Sequence, residues 1–170
     1  MNSGLRAFFV TYLFLTVGLW WALFHAPAGP TTLPHLIFYA VLTLNTYFSV
    51  RFHASFTPES PFQTCIDLAL AVSYIALAVS IGAPIAFSFC AVLIFAIAPA
   101  KYTHTIGRTP HDKTLRKKVL IDLLGTVGCV LVLGLTFAGF ELQAAWILAG
   151  TFTLANMYLL FIRPMYVHVI

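Results

Sequence analysis

Apolar residues run along this chain in long blocks, separated by short polar or proline-bearing segments. No Asp, Glu, Lys or Arg occurs in 7–50, 68–100, 123–140 or 142–162. A helix of roughly 20 apolar residues crosses the hydrocarbon core of a bilayer, which is about 30 Å thick. The first two blocks are each long enough for two crossings, so the pattern predicts six transmembrane helices, near 7–24, 33–50, 62–81, 85–102, 119–140 and 142–162. Between the first two, Pro27, Pro30 and Pro34 remove backbone donors and stop helix continuation. Thr57-Pro58 and Ser60-Pro61 favour a break before the third. Gly82-Ala83-Pro84 is a tight turn that makes the third and fourth helices antiparallel neighbours, and Arg163-Pro164 ends the sixth. The expected fold is all-α: a polytopic membrane protein forming one transmembrane domain over 1–170, built as three antiparallel hairpins.

Charge gives this pattern a direction. Arg6, Arg51, the basic segment from Lys101 to Lys118, and Arg163 all fall on one face of the six-helix arrangement, and Glu141 falls on the other. Basic residues collect on the cytoplasmic side, which puts both termini and the expected 101–118 loop in the cytoplasm. Trp20, Trp21 and Trp146 come at the opposite interface, where indole rings meet headgroups. A bacterial inner membrane fits this orientation, and in a eukaryote the same logic applies to an organelle or plasma membrane.

Composition agrees. The chain is 61% hydrophobic and 8% charged, with a mean hydropathy of +0.94, whereas soluble domains carry about 25% charged residues. The net charge of +4 is accounted for by the helix ends and does not indicate nucleic acid. Arg6, the first apolar run and Ala26-Pro27-Ala28 imitate a signal peptide with its cleavage site, but the run exceeds the roughly 7–15 residues of a signal's apolar region. It reads as a retained first helix. Cys65, Cys90 and Cys129 are odd in number and form no CxxC pair, which argues against a disulfide framework.

Two carboxylates stand out. Asp67 and Asp122 lie inside spans, where an isolated charge costs roughly 2.5–3.5 kcal/mol at mid-bilayer. Such residues face a cavity, pair with a cation, or relay ions or protons. The structural alternative pairs Asp67 with Arg51 or water, and Asp122 with Lys118 four residues earlier on the same helix face. Asn45 and Asn156, with Tyr47 and Tyr158, are the next candidates, either lining a polar pathway or bonding helices together. Asp67 and Asp122 are 55 residues apart and the two asparagines 111, close to twice that spacing, which suggests three diverged hairpins. Tyr12 stands where the first hairpin would carry an Asp. On the fifth helix, Gly125, Gly128 and the pair Gly134/Ala138 form a small-residue surface suited to close helix contact.

The basic residues Lys101, Arg108, Lys113, Arg116, Lys117 and Lys118 are expected to contact anionic lipid, at about 1 kcal/mol each near the surface. His25 and His35 belong to the outer turn, while His53, His104, His111 and His168 fall on the cytoplasmic side. No ligand pair among them has metal-site spacing, and none lies mid-span to hold haem, so no metal or cofactor is expected. Lys101-x6-Arg108-Thr109-Pro110 resembles the first phosphate-binding motif of the lipid-phosphatase family over about ten residues. That motif sets Pro directly after Arg, and the family's Ser-Gly-His and Ser-Arg…His elements are missing, so the chain is not assigned to it.

Three functions remain open. The first is a transporter or channel for a cation, proton or small solute, with Asp67 and Asp122 handling the charge. The second is a non-catalytic subunit or assembly factor of a larger membrane complex, or a homo-oligomer. The third is an interfacial enzyme on a lipid phosphate, with Arg51, Lys101, Arg108 and Arg163 holding phosphate and Asp67, His111 or Asp112 as acid–base groups.

Overall fold

The computed structural model describes residues 3–53, 60–107 and 112–166. Six α-helices follow one another: α1 (Ser3–Phe24), α2 (Thr32–His53), α3 (Pro61–Val79), α4 (Pro84–Thr103), α5 (Asp112–Phe137) and α6 (Glu141–Met157). A π-helical turn, Tyr158–Ile162, continues α6. No strand occurs among the described residues. All six helices, the last taken through Ile162, are long and apolar enough to cross a membrane, which marks an integral membrane protein.

The helix ends follow local chemistry. Ser60 caps α3, its Oγ accepting from the Gln63 N–H at 3.2 Å, and Pro61 takes a first-turn position where no donor is needed. The polar segment between α4 and α5 is shorter than the expected 101–118 loop, because α4 continues through Thr103 and α5 already begins at Asp112. The Gly107 N–H donates to both Asp112 carboxylate oxygens, at 2.9 and 3.0 Å, at the start of α5. In the first turns of α5, Leu115 and Lys118 are buried while Lys113, Arg116 and Lys117 stay exposed. That three-residue spacing gives the basic stretch one inward face and makes it a helix.

Helix α4 packs against α5 and α3, α1 against α2 and α3, and α6 against α2 and α5. Phe38, Leu77, Ile81 and Phe87 are fully enclosed between them. Large apolar side chains such as Leu23, Leu131, Leu154 and Phe161 face outward, as a lipid-facing surface requires. At Gly18 a Cβ would overlap the Tyr39 ring. The Tyr39 hydroxyl donates to the Phe14 carbonyl at 2.8 Å, so α1 and α2 touch at backbone range.

Two turns meet at the end of the bundle that holds Pro27 and Gly82. Gly82 adopts φ +87°, a backbone region open to glycine. Its N–H donates to His35 Nδ1 at 3.2 Å, which leaves the His35 proton on Nε2. His35, expected in the outer turn, lies in the first turn of α2; it is 1% exposed, its ring stacked on Phe87 with centroids 4.0 Å apart. The Thr32 hydroxyl donates to the Pro27 carbonyl at 2.7 Å.

Candidate functional site

A cavity of about 560 Å³ lies among α1, α2, α3, α4 and α5. Its apolar wall includes Val10, Leu13, Phe14, Leu42, Ile75 and Phe95. Its polar wall comes mainly from the C-terminal turns of α2 and α4 and the N-terminal turns of α3 and α5, the ends that carry most of the chain's charged residues. One end of the cavity is therefore charged, and the rest is mainly apolar with the Thr46 and Tyr74 hydroxyls among it.

Both intramembrane carboxylates line this cavity, and each binds a lysine. Lys101, in the last turn of α4, donates to Asp67 in the second turn of α3. The partner of Asp67 is thus Lys101 and not Arg51. Arg51 instead lines a separate small cavity of about 30 Å³ with Phe48, Leu159 and Tyr166. Lys118 donates to Asp122, one turn further along α5. The two pairs differ in access. The Asp67 side chain is 39% exposed and Lys101 17%, whereas Lys118 is 7% exposed and Asp122 1%. The Lys118 ammonium also sits 5.6 Å from the centroid of the Tyr102 ring, whose negative face suits a cation.

Neutral polar groups complete the wall. The Gln63 amide nitrogen donates to the Lys101 carbonyl at 3.2 Å and to Thr105 Oγ1 at 3.3 Å. A carbonyl can only accept, so this bond fixes which way the amide lies. His53 is 3% exposed, and its Nδ1–H donates to the Ser49 carbonyl at 2.7 Å. Its ring packs on Tyr102, whose hydroxyl lies 3.1 Å from Ser49 Oγ. Thr46 and Tyr74 share a hydrogen bond deeper in the cavity. Pro99, inside α4, has no N–H, so the carbonyl of cavity-lining Phe95 loses its helical donor. Beyond the helices, Tyr166 is buried with its ring against Phe52, and burial pushes its phenol above the ordinary value.

The sequence marks His53 only as one of the cytoplasmic-side histidines and singles out none of Gln63, Ser49 or Tyr102 for the site. Its signal for His53 was faint: a polar residue closing an apolar helix, four positions after Ser49.

The other sequence candidates are scattered. Asn45 lines the cavity. Tyr47 lies outside its lining, its ring against Phe48. Asn156 is buried but turns back on its own helix, its amide donating to the Phe152 carbonyl at 2.9 Å. Tyr158 opens the π-helical turn and is exposed. Among the basic residues expected at lipid, Lys101 and Lys118 point into the bundle as ion-pair partners, while Lys113, Arg116 and Lys117 are exposed. Arg108, His111 and His168 lie outside the described residues. Among the described residues, no three His, Cys, Asp or Glu side chains gather as metal ligands would. The expected phosphate-binding set is also divided, with Lys101 in the main cavity, Arg51 in the small one, and Arg163 exposed beyond the π-helical turn.

No family model, curated protein or solved structure matches this chain. The chemistry of the cavity rests on its own residues. It offers an accessible carboxylate beside an ammonium, a sealed second pair behind them, several hydroxyls, and an apolar compartment.

Proposed function

We propose that this chain is a small integral membrane transporter whose solute is held in the cavity between α1 and α5. One observation carries the reading: both intramembrane aspartates, from different helices, line a single cavity of about 560 Å³. That volume falls within the roughly 300–1,000 Å³ usual for small-molecule sites. A purely structural role for the two ion pairs would need no such space. The proposed setting is three antiparallel hairpins with both termini cytoplasmic, in a bacterial inner membrane. The basic residues at the cavity end support it, as do Trp20 and Trp21, which pack on His25 at the opposite end. The cavity then faces the cytoplasm, and anionic lipid on that side would meet Lys113, Arg116 and Lys117.

The test is uptake into liposomes containing the purified protein, read for protons with a trapped pH dye and for labelled monovalent cations and small organic solutes. Uptake should fall when Asp67→Asn and Asp122→Asn are combined, and also with Asp67→Asn alone, which leaves the sealed pair intact. Unchanged flux in the folded variants would return both aspartates to a structural role.

A second reading, as a subunit of a larger complex, is supported by the outer face of α5. Gly128 and Gly134 are exposed on α5 and Ala138 just beyond its end, and a Cβ at either glycine would meet nothing within 4 Å. Such a surface admits a neighbouring helix at close range. Purification in a gentle detergent separates the two readings. Stoichiometric recovery with another polypeptide supports the subunit, and a lone transport-active particle opposes it.

A further inference from the structure

We infer that the cavity takes a net-neutral, zwitterionic solute with an apolar body, its ammonium on Asp67 and its acidic group on Lys101. This deepens the transport reading and rests on the same site. Among the described residues, the cavity wall carries two positive and two negative side chains, Lys101 and Lys118 against Asp67 and Asp122, and these balance before anything binds. A ligand of net charge would leave one charge of the accessible pair without a partner. A zwitterion leaves none.

Access then selects which pair meets it. Asp67 and Lys101 retain 39% and 17% of their side-chain surface, whereas Asp122 retains 1% and is held by its neighbour on the same helix. The accessible pair joins two different helices, α3 and α4, through side chains 34 residues apart in sequence. A ligand carrying both charges can insert between them and restore both interactions, and this exchange involves no net loss of ion pairing. The sealed pair on α5 keeps its partner throughout, and acts as a fixed dipole behind the site.

The apolar requirement comes from the other wall. Leu13, Phe14, Leu42, Ile75 and Phe95 offer no polar side-chain atoms, so a fully polar zwitterion would strand its hydration there. The ligand chemistry is therefore an ammonium and a carboxylate or phosphate on one end, with a hydrocarbon or aromatic portion on the other. An apolar free amino acid and a zwitterionic lipid headgroup with its attached chain both have it.

The experiment is calorimetric binding to the intact, detergent-solubilised protein with three probes of one shape: phenylalanine, phenethylamine and N-acetylphenylalanine. These carry both charges, the positive alone and the negative alone. Wild type should bind phenylalanine at least about tenfold more tightly than either singly charged probe. Asp67→Asn should move the preference to N-acetylphenylalanine, and Lys101→Met to phenethylamine. Lysophosphatidylethanolamine distinguishes the two sources: competition stronger than that of phenylalanine assigns the zwitterion to lipid, and weaker competition to a free solute. The wild-type order needs no variant to fold. Equal binding of the three probes, binding of none, or variants that keep the wild-type order would overturn the inference. The transport reading is judged separately, since uptake of some other solute with no such order removes the zwitterion alone. Absence of all uptake removes transport, and the binding order still decides the ligand class.

Discussion

Lys118 and Asp122 form an ion pair within one helix, a single turn apart, with both side chains shut off inside the bundle at 7% and 1% exposure. Geometry within α5 makes the pair easy to form, because residues four apart lie on one face. Burial makes it hard to break. Removing one partner leaves the other charge stranded, which costs about 3–5 kcal/mol. We expect Asp122→Leu and Lys118→Met each to lower the unfolding temperature of the detergent-solubilised protein sharply, and the double substitution to recover most of the loss. Additive losses in the double variant would show that the two side chains act independently.

Asp67 and Lys101 should behave in the opposite way. Their pair is partly exposed, and screened pairs of this kind contribute about 0–1 kcal/mol. Asp67→Asn is therefore expected to leave thermal stability almost unchanged while reducing solute uptake in liposomes. A large stability loss with intact uptake would reverse the roles assigned to the two pairs.

Gly82 provides a test of the opposite end. Ala at this position would take a left-handed conformation costing roughly 1–2 kcal/mol. Its Cβ would also lie 2.9 Å from Pro27 Cδ. Gly82→Ala should destabilise the protein by at least that amount in thermal unfolding. Gly29→Ala, in the neighbouring turn where a Cβ meets nothing within 4 Å, should not.

Orientation is tested by reporter fusions at Gly29, Pro110 and the C-terminus. We expect activity of a cytoplasmic reporter at Pro110 and at the C-terminus, and of an external reporter at Gly29. An external signal at Pro110 or the C-terminus would overturn the proposed topology.

Most of the helical layout was legible in the sequence, because an uncharged block of sufficient length has few alternatives. The boundaries of α1 to α4 fall within a few residues of the expected spans. The start of α5 did not, since Lys113, Arg116, Lys117 and Lys118 read as a solvated loop. Only the burial of Leu115 and Lys118 reveals the helix that carries them. The site was legible to the same depth. A pairing four residues apart on one helix can be read from spacing, so Lys118 was named beside Asp122. Lys101 and Asp67 meet through the packing of α3 on α4, which no local pattern encodes, and Arg51 looked the nearer partner. Gln63 carried no signal and His53 only a faint one for a related reason: each matters because of the backbone carbonyl its side chain reaches, at Lys101 and Ser49 respectively.

The bond from the Gly82 N–H to His35 has a kinetic consequence for a carrier of this design. It ties the two turns together at the end where no lysine or arginine lies among the described residues, and it ends on the His35 ring that stacks on Phe87. If the cavity loads from the charged end as proposed, a solute leaving on the far side would have to part that clasp and the aromatic layer, neither of which lines the cavity itself. For the proposed carrier we therefore expect exit to be slower than loading, with turnover set by the unlatching of two proline- and glycine-bearing turns. Substitutions at His35 would change the rate of passage without changing what is carried.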